Sequence, residues 1–300
     1  MIDLQTQDRA LGALLGLATG DALGTTLEFS TRDSLPPLTD IVGGGPFQLE
    51  AGVWTDDTSM ALALAESLAQ RGSLDPGDLM RRFVNWWRWG VYSATGECFD
   101  IGTATRQALA RFEADGNPIA GSTDPFSAGN GSLMRLAPVA IWGVKHGEQA
   151  MRDAARLQSA TTHGAEACLD ACEGYALILH AAILGADFET AVKAVEGIGG
   201  DPIAAILAGG WRGKDRVAIR SSGYVAHSLE AALWCVDQTG SYRDAVLLAA
   251  NLGDDADTTA AITGQLAGAL YGMSGIPAEW LATLAWRDRI AEMAQALLTP

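Results

Sequence analysis

Two stretches of the chain concentrate carboxylates beside hydroxyls. Toward the C-terminus, Asn251-Leu252-Gly253-Asp254-Asp255-Ala256-Asp257-Thr258-Thr259 runs into an apolar, small-residue helix pattern over 260–272. Toward the N-terminus, Trp54-Thr55-Asp56-Asp57-Thr58-Ser59 leads into a second such pattern over 60–68. A single Asp or Thr before an apolar helix is ordinarily an N-cap, its oxygen taking an orphan backbone N–H and its charge favoured by the helix dipole. That use accounts for one oxygen per helix. Asp56, Asp57, Asp255 and Asp257 bring four negative charges, Thr55 and Thr258 add hydroxyls, and neither motif holds a Lys or Arg. If the two helix entrances meet, the cluster requires cations; if they do not, they remain separate caps. The donors are hard oxygens with no Cys or His among them, so the ions implied are Mg²⁺ or Mn²⁺ and not zinc.

The elements that must position these groups read as helices. Residues 8–20 carry Leu and Ala at helical spacing, with Gly12, Gly16 and Gly20 on one stripe; the helix after the C-terminal acidic motif repeats the device with Gly264, Gly268 and Gly272. Mid-helix glycine costs about 1 kcal/mol relative to alanine, so such stripes suggest a close backbone neighbour. The expectation is that these two helices pack together and join both ends of the chain into one domain. Asp75-Pro76 reads as a cap plus first-turn Pro before an aromatic helix face of Phe83, Trp86 and Trp87. Alternating β-branched runs are nearly absent, and no motif recurs at a fixed period. The fold expected is all-α, a single compact domain over 1–300 of about a dozen helices, with the acidic site at the ends of central helices.

Other candidates sit in loops. Glu28 begins a Gly/Pro-rich stretch that reads as a surface loop, a position suited to a lid. Asp100 precedes a helix over 103–113, which it has the position to cap. A Gly/Pro/Ser-rich segment delivers Gly129-Asn130-Gly131-Ser132 into a helical pattern over 133–142, and small residues opening a helix leave N–H groups for an anion. His163 stands before a long helix pattern over 165–184. Arg212, Lys214, Arg216 and Arg220 share one loop, either solvated or reaching a phosphate-bearing ligand.

With 48% hydrophobic residues, 300 positions suffice for a substantial core. The net charge of −16 argues against steering toward nucleic acid. Cys98, Cys168, Cys172 and Cys235 form no C-x-x-C pair and read as reduced. The N-terminus shows no signal-peptide pattern, and the apolar stretch 175–186, taken as the longest, is too short to span a bilayer. A cytoplasmic protein, with no membrane partner and monomeric, is expected.

Together, Gly20-Asp21-Ala22-Leu23-Gly24 with Glu28-Phe29, Trp54-Thr55-Asp56-Asp57-Thr58, Phe99-Asp100-Ile101-Gly102, Gly129-Asn130-Gly131-Ser132-Leu133-Met134-Arg135, Thr162-His163-Gly164, Ser222-Gly223-Tyr224-Val225 and Asp255-Ala256-Asp257-Thr258 resemble the ADP-ribosylglycohydrolase family, in its bacterial, dinitrogenase-reductase-activating branch. The resemblance covers nearly the whole chain. Each motif alone is weak, but their joint order is specific. The resemblance implies a binuclear Mg²⁺ or Mn²⁺ centre on Thr55, Asp56, Asp57, Asp255, Asp257 and Thr258. It also implies Glu28 beside the distal ribose, Asp100 at the ribose or leaving group, Asn130, Gly131 and Ser132 around the diphosphate, and His163, Gly223 and Tyr224 along the nucleotide cleft. Where many members have a second Gly before D-x-D-T, this chain has Asp254. The activity implied is hydrolysis of ADP-ribose from a modified acceptor on a protein or small molecule. Arginine is favoured; serine, a nucleic-acid base or a small molecule are alternatives, and nucleic acid is a partner only as such a substrate. An isoprenoid diphosphate enzyme would need its Asp residues one turn apart within helices, and a non-catalytic relative would be expected to have lost a ligand.

Overall fold

Helix α1 (Leu4–Gly24) begins at Asp3, whose carboxylate accepts the Thr6 N–H at 2.9 Å, and ends in a 3-10 turn, Thr25–Leu27. Its sequence is apolar on every side, the signature of a helix enclosed by others. The span Leu4–Leu27 is long and apolar enough to cross a membrane, with mean hydropathy 1.3, yet its apolar window is 94% buried inside the protein. It is thus a longer apolar span than 175–186, and neighbouring helices cover it. This computed structural model describes residues 2–299 other than Glu196.

The partner that covers α1 most closely is α12 (Ala256–Tyr271), running antiparallel to it. A Cβ placed on Gly12, Gly16 or Gly20 would stand 2.3 Å from the carbonyl oxygen of Gly268, Gly264 or Ala260 respectively, and one on Gly24 would stand 2.4 Å from that of Ala256. The two backbones touch, as the glycine stripes suggest. The register differs at its ends: Gly272 caps α12 at φ +77° and faces Asp8, whereas Gly24 supplies the fourth contact. Tyr242 locks the seam by donating its hydroxyl to the Gly16 carbonyl at 2.8 Å. An alanine at Gly16 would meet backbone that has nowhere to retreat, and overpacking of this kind destabilises by about 1–3 kcal/mol.

Around this pair stand α2 (Asp56–Arg71), α3 (Pro76–Trp89), α4 (Thr103–Asp115), α5 (Ala137–His146), α6 (Glu148–Ala160), α7 (Glu166–Ile183), α8 (Phe188–Lys193), α9 (Ile203–Leu207), α10 (Val225–Asp237), α11 (Tyr242–Ala250), α13 (Ala278–Thr283) and α14 (Arg287–Leu298). Among the described residues only isolated bridges, and no strands, accompany them, so the fold is all-α. Asp75 caps α3 as the Asp-Pro pair indicates. The pattern over 133–142 departs from expectation. Residues 131–135 form a turn, and α5 begins only at Ala137, with Pro138 in its first turn where a missing N–H is tolerated.

Antiparallel packing brings the C-terminal end of α1 beside the N-terminal end of α12. The start of α2 reaches the same place, through Asp21 of α1. One end of the helix core therefore collects two helix N-termini.

Candidate active site

Both helix entrances are capped from α1 or the turn after it. Asp21, fully buried near the end of α1, accepts the Thr55 and Thr58 N–H groups at 2.9 and 3.0 Å, together with both threonine hydroxyls at 2.9 and 2.7 Å. Glu28 Oε2 accepts the N–H groups of Ala256 and Asp257 at 2.8 and 3.3 Å. The residues in the N-cap positions, Thr55 and Asp255, make no side-chain cap bond of their own. The acidic motifs are thereby released from the capping that a local reading assigns them.

The two motifs meet. The hydroxyl oxygens of Thr55 and Thr258 both lie 3.3 Å from Asp57 Oδ2. Carboxylate oxygens of Asp21, Asp57 and Asp257 lie within 4.8 Å of one another, as do those of Glu28, Asp255 and Asp257, so Asp257 belongs to both groups. Asp57 Oδ1 and Asp257 Oδ2 are buried with no hydrogen-bond partner. Burial drives the pKa of Asp56 and of Asp57 well above the usual carboxylate range, and neighbouring carboxylates raise them further. Burial and then the Asp257 charge push Asp21 and Asp255 up to about 7. Unpaired buried oxygens, an all-oxygen donor set and mutual repulsion fit hard divalent cations.

This cluster forms one wall of a cavity of about 840 Å³. Glu28, Asp56, Asp100, Asp255, Asp257 and Thr258 line it, while Thr55 and Asp57 lie just beneath, 1% and 0% exposed. Asp100 does not cap α4; Gly102 takes that position, and Asp100 sits at φ +55° with its pKa pushed up to about 11 by burial and by the Asp56 and Asp257 charges. Glu28 is not on a lid. It is 5% exposed and pinned to the start of α12, with its pKa raised by burial and then by Asp257.

Gly129, Asn130, Gly131, His163 and Gly223 also line the cavity. Asn130 donates to Asp255 Oδ2 at 2.7 Å and to Ser228 Oγ at 2.9 Å, and its N–H reaches the Gly223 carbonyl at 3.1 Å. It thus orients an acidic residue and ties two loops together. Burial, and secondarily Arg135, lower the His163 pKa to about 3, so the ring is neutral. Arg135 donates to Thr162 Oγ1 at 2.9 Å, and that oxygen is 2.8 Å from His163 Nδ1. With Thr162 Oγ1 accepting from Arg135, its own proton is available to Nδ1, and in that tautomer the imidazole proton sits on Nε2.

Ser132 and Tyr224 do not line the cavity. Ser132 is fully buried, its Oγ accepting from Ser159 at 2.8 Å; Tyr224 packs edge-on against His227. Nor does the basic loop reach it: Arg212 pairs with Glu189 at 2.8 Å, Lys214 with Glu230 at 2.5 Å and Arg216 with Asp33 at 2.7 Å, and Arg220 is also absent from the lining. Asp21 is the residue that motif reading passed over. Its signal was available, since a carboxylate inside the apolar run 10–24 of α1 must have partners.

A profile described as ADP-ribosylglycohydrolase matches residues 3–300. The chain is 51% identical to an ADP-ribosylarginine hydrolase, Tri1, of Pseudomonas putida, over 98% of this chain and 78% of that protein. It is 33% identical to the ADP-ribosyl-[dinitrogen reductase] glycohydrolase of Rhodospirillum rubrum, over 92% and 90%. A solved structure titled ADP-ribosylglycohydrolase-related protein complex superposes with a TM-score of 0.87 at 41% identity, covering 98% of each chain.

Proposed function

The chain belongs to the ADP-ribosylglycohydrolase family, enzymes that hydrolyse the bond between ADP-ribose and an acceptor, and we propose that its acceptor is arginine. The observation that carries the chemistry is the pair of oxygen clusters sharing Asp257 at the cavity wall. The acceptor rests on the Pseudomonas relative's name and on a cavity whose charged lining is acidic, which suits a cationic side chain.

Thr55, Asp56, Asp57, Asp255, Asp257 and Thr258, supported by Asp21 and Glu28, would hold two divalent cations, Mg²⁺ or Mn²⁺. Such ions, when bound, fix ribose hydroxyls and make water a better nucleophile at neutral pH. The remaining work falls to the chain's own groups. Water adds at C1″ of the distal ribose as the C1″–N bond breaks through an oxocarbenium-like state; the water gives up one proton, and the departing guanidine nitrogen takes one. Asp100 is the residue assigned to that proton. It lines the cavity without capping a helix, whereas Glu28 has one oxygen committed to the start of α12 and is assigned to positioning the ribose. The 129–131 loop and the Nε2–H of neutral His163 are assigned to the diphosphate, with Gly223 flanking the nucleotide.

The deciding experiment incubates the protein with peptides bearing ADP-ribosyl-arginine or ADP-ribosyl-serine, with Mg²⁺, with Mn²⁺ and with chelator, and measures free ADP-ribose. Metal-dependent release from arginine is expected. Release from serine alone overturns the acceptor, and undiminished release under chelator overturns the role of the cations.

A further inference from the structure

Three phenylalanines from three separate loops stand together at the cavity's acidic side. Phe29 and Phe47 meet edge-on with ring centroids 6.2 Å apart, and Phe47 and Phe99 meet tilted at 5.3 Å. Phe29 directly follows Glu28, and Phe99 directly precedes Asp100, so the row of rings connects the two chain segments that carry the carboxylates outside the acidic motifs. Phe29 lines the cavity yet is 68% exposed. Phe126 and Trp89 are more exposed still, but neither lines the cavity, so Phe29 is the one of the three placed where a bound ligand would cover it.

The backbone holding it is strained in a specific way. Phe29 and Asp254 both occupy left-handed conformations, φ +59° and +56°, which non-glycine residues seldom adopt. They are clamped reciprocally: the Phe29 N–H donates to the Asp254 carbonyl, and the Asp254 N–H to the Ser30 carbonyl, each at 2.8 Å. Asp254 is itself exposed and lines the cavity. At this point of the rim an aromatic face and a free carboxylate are fixed side by side, where glycine would relieve the backbone.

We infer that Phe29, backed by Phe47 and Phe99 and flanked by Asp254, forms the acceptor subsite and selects a planar cation, the guanidinium of ADP-ribosyl-arginine. This rests on the arginine reading above. A guanidinium stacks on aromatic faces and keeps its charge, so it draws on both the rings and the carboxylate. A neutral acceptor such as serine draws on neither.

The test uses the full chain with divalent metal and compares wild type, Phe29→Ala, Phe29→Leu and Asp254→Gly. Two quantities are read for each: KM for an ADP-ribosyl-arginine peptide, and Kd for free ADP-ribose by calorimetry. Both Phe29 variants should raise KM about 3- to 30-fold, the range of a partly desolvated cation–π contact. Asp254→Gly should raise it about 2- to 5-fold, more at low salt, as for an exposed charge pair. Its melting temperature should hold or rise because glycine suits the left-handed position, so a KM change there does not come from misfolding. Affinity for ADP-ribose should stay at the wild-type value throughout. Equal weakening of ADP-ribose would make the rings an adenine platform and overturn the inference. So would an unchanged KM, or a Phe29→Leu variant that keeps wild-type KM, since any apolar side chain would then serve. A wild type that does not cleave ADP-ribosyl-arginine defeats the acceptor reading instead, and is seen before any variant is made.

Discussion

Buried carboxylates are held in opposite ways at two places in this molecule. Between α2 and α3, Asp78 accepts Arg71 at 2.6 Å, Arg82 at 2.7 Å and Ser67 at 2.8 Å; between α6 and α7, Arg156 bridges Asp170 and Glu173 at 2.8 and 2.9 Å. At the junction of α1, α2 and α12, Asp21, Glu28, Asp56, Asp57, Asp255 and Asp257 converge with no described ion pair to any Lys or Arg. The chain has arginines in structural networks, and Arg135, the one that feels the Asp56 charge, donates instead to Gln158 and Thr162. A buried acidic residue meant for scaffolding receives its counter-charge from the protein, whereas this cluster leaves its counter-charge to something that arrives. The hydrogen bonds it does receive come from helix N-termini, threonines and Asn130, which orient carboxylates without neutralising them.

The sharpest way to break that contrast is Asp257→Ala, which removes the residue common to both oxygen groups. Turnover should fall to background and the melting shift produced by Mg²⁺ or Mn²⁺ should vanish, while the metal-free variant melts above metal-free wild type because one repelling charge is gone. A metal-free variant that melts lower would show that the cluster is scaffolding after all.

Asp100→Asn comes next, with kcat reduced by about 10² to 10⁴, the usual contribution of a general acid or base. Its metal-induced melting shift should survive, which separates proton transfer from ion binding. Near-normal turnover in this variant, with loss in Glu28→Gln, would exchange the two assigned roles.

On the other side of the comparison, Asp78→Ala should lower the melting temperature with or without metal. The loss should be about 3 kcal/mol, since Arg71 and Arg82 are left facing a partly buried gap. Turnover per folded molecule should persist. A metal-dependent loss would erase the distinction between the two regions.

The last contrast is in pH, and its sign differs between the regions. Burial opposes ionisation of Asp78, but hydrogen bonds from Arg71, Arg82 and Ser67 outweigh it and bring the pKa from 3.8 to about 2. A depressed folded-state pKa gives stability that is present above the unfolded value and lost as pH falls, here about 2 kcal/mol between pH 4 and 2. Asp21 and Asp255 are raised from 3.8 to about 7, so their contribution in the metal-free protein is present below pH 4 and lost as pH rises toward 7. Melting of metal-free protein across this range should show both limbs, with Asp78→Asn reducing only the acidic one. A single limb in wild type would contradict the opposed treatment of the two groups.

Much of this was open to a reader of the sequence. Glycines at four-residue spacing suggest a close helix contact, and α1 against α12 is that contact. Carboxylates and threonines at helix starts with no basic residue nearby declare hard-oxygen chemistry. Both signals are local, carried by residue type and spacing within one or two turns. What tertiary structure alone decided are the partners across sequence. Asp21 caps a helix 34 residues on, and Glu28 caps one 228 residues on. No spacing rule reaches that far, and so Glu28 in a Gly-flanked loop reads as mobile when it is pinned. Ser132 beside two cavity-lining residues reads as lining too, until the turn over 131–135 carries it into the core. The phenylalanine arch, drawn from three loops with no shared period, exists only where the folded chain brings them together. Periodicity determines which residues form an element and which face it buries. Which carboxylate meets which helix end depends on the packing of α1 against α12, because the free N–H groups at a helix start take whatever acceptor the fold delivers.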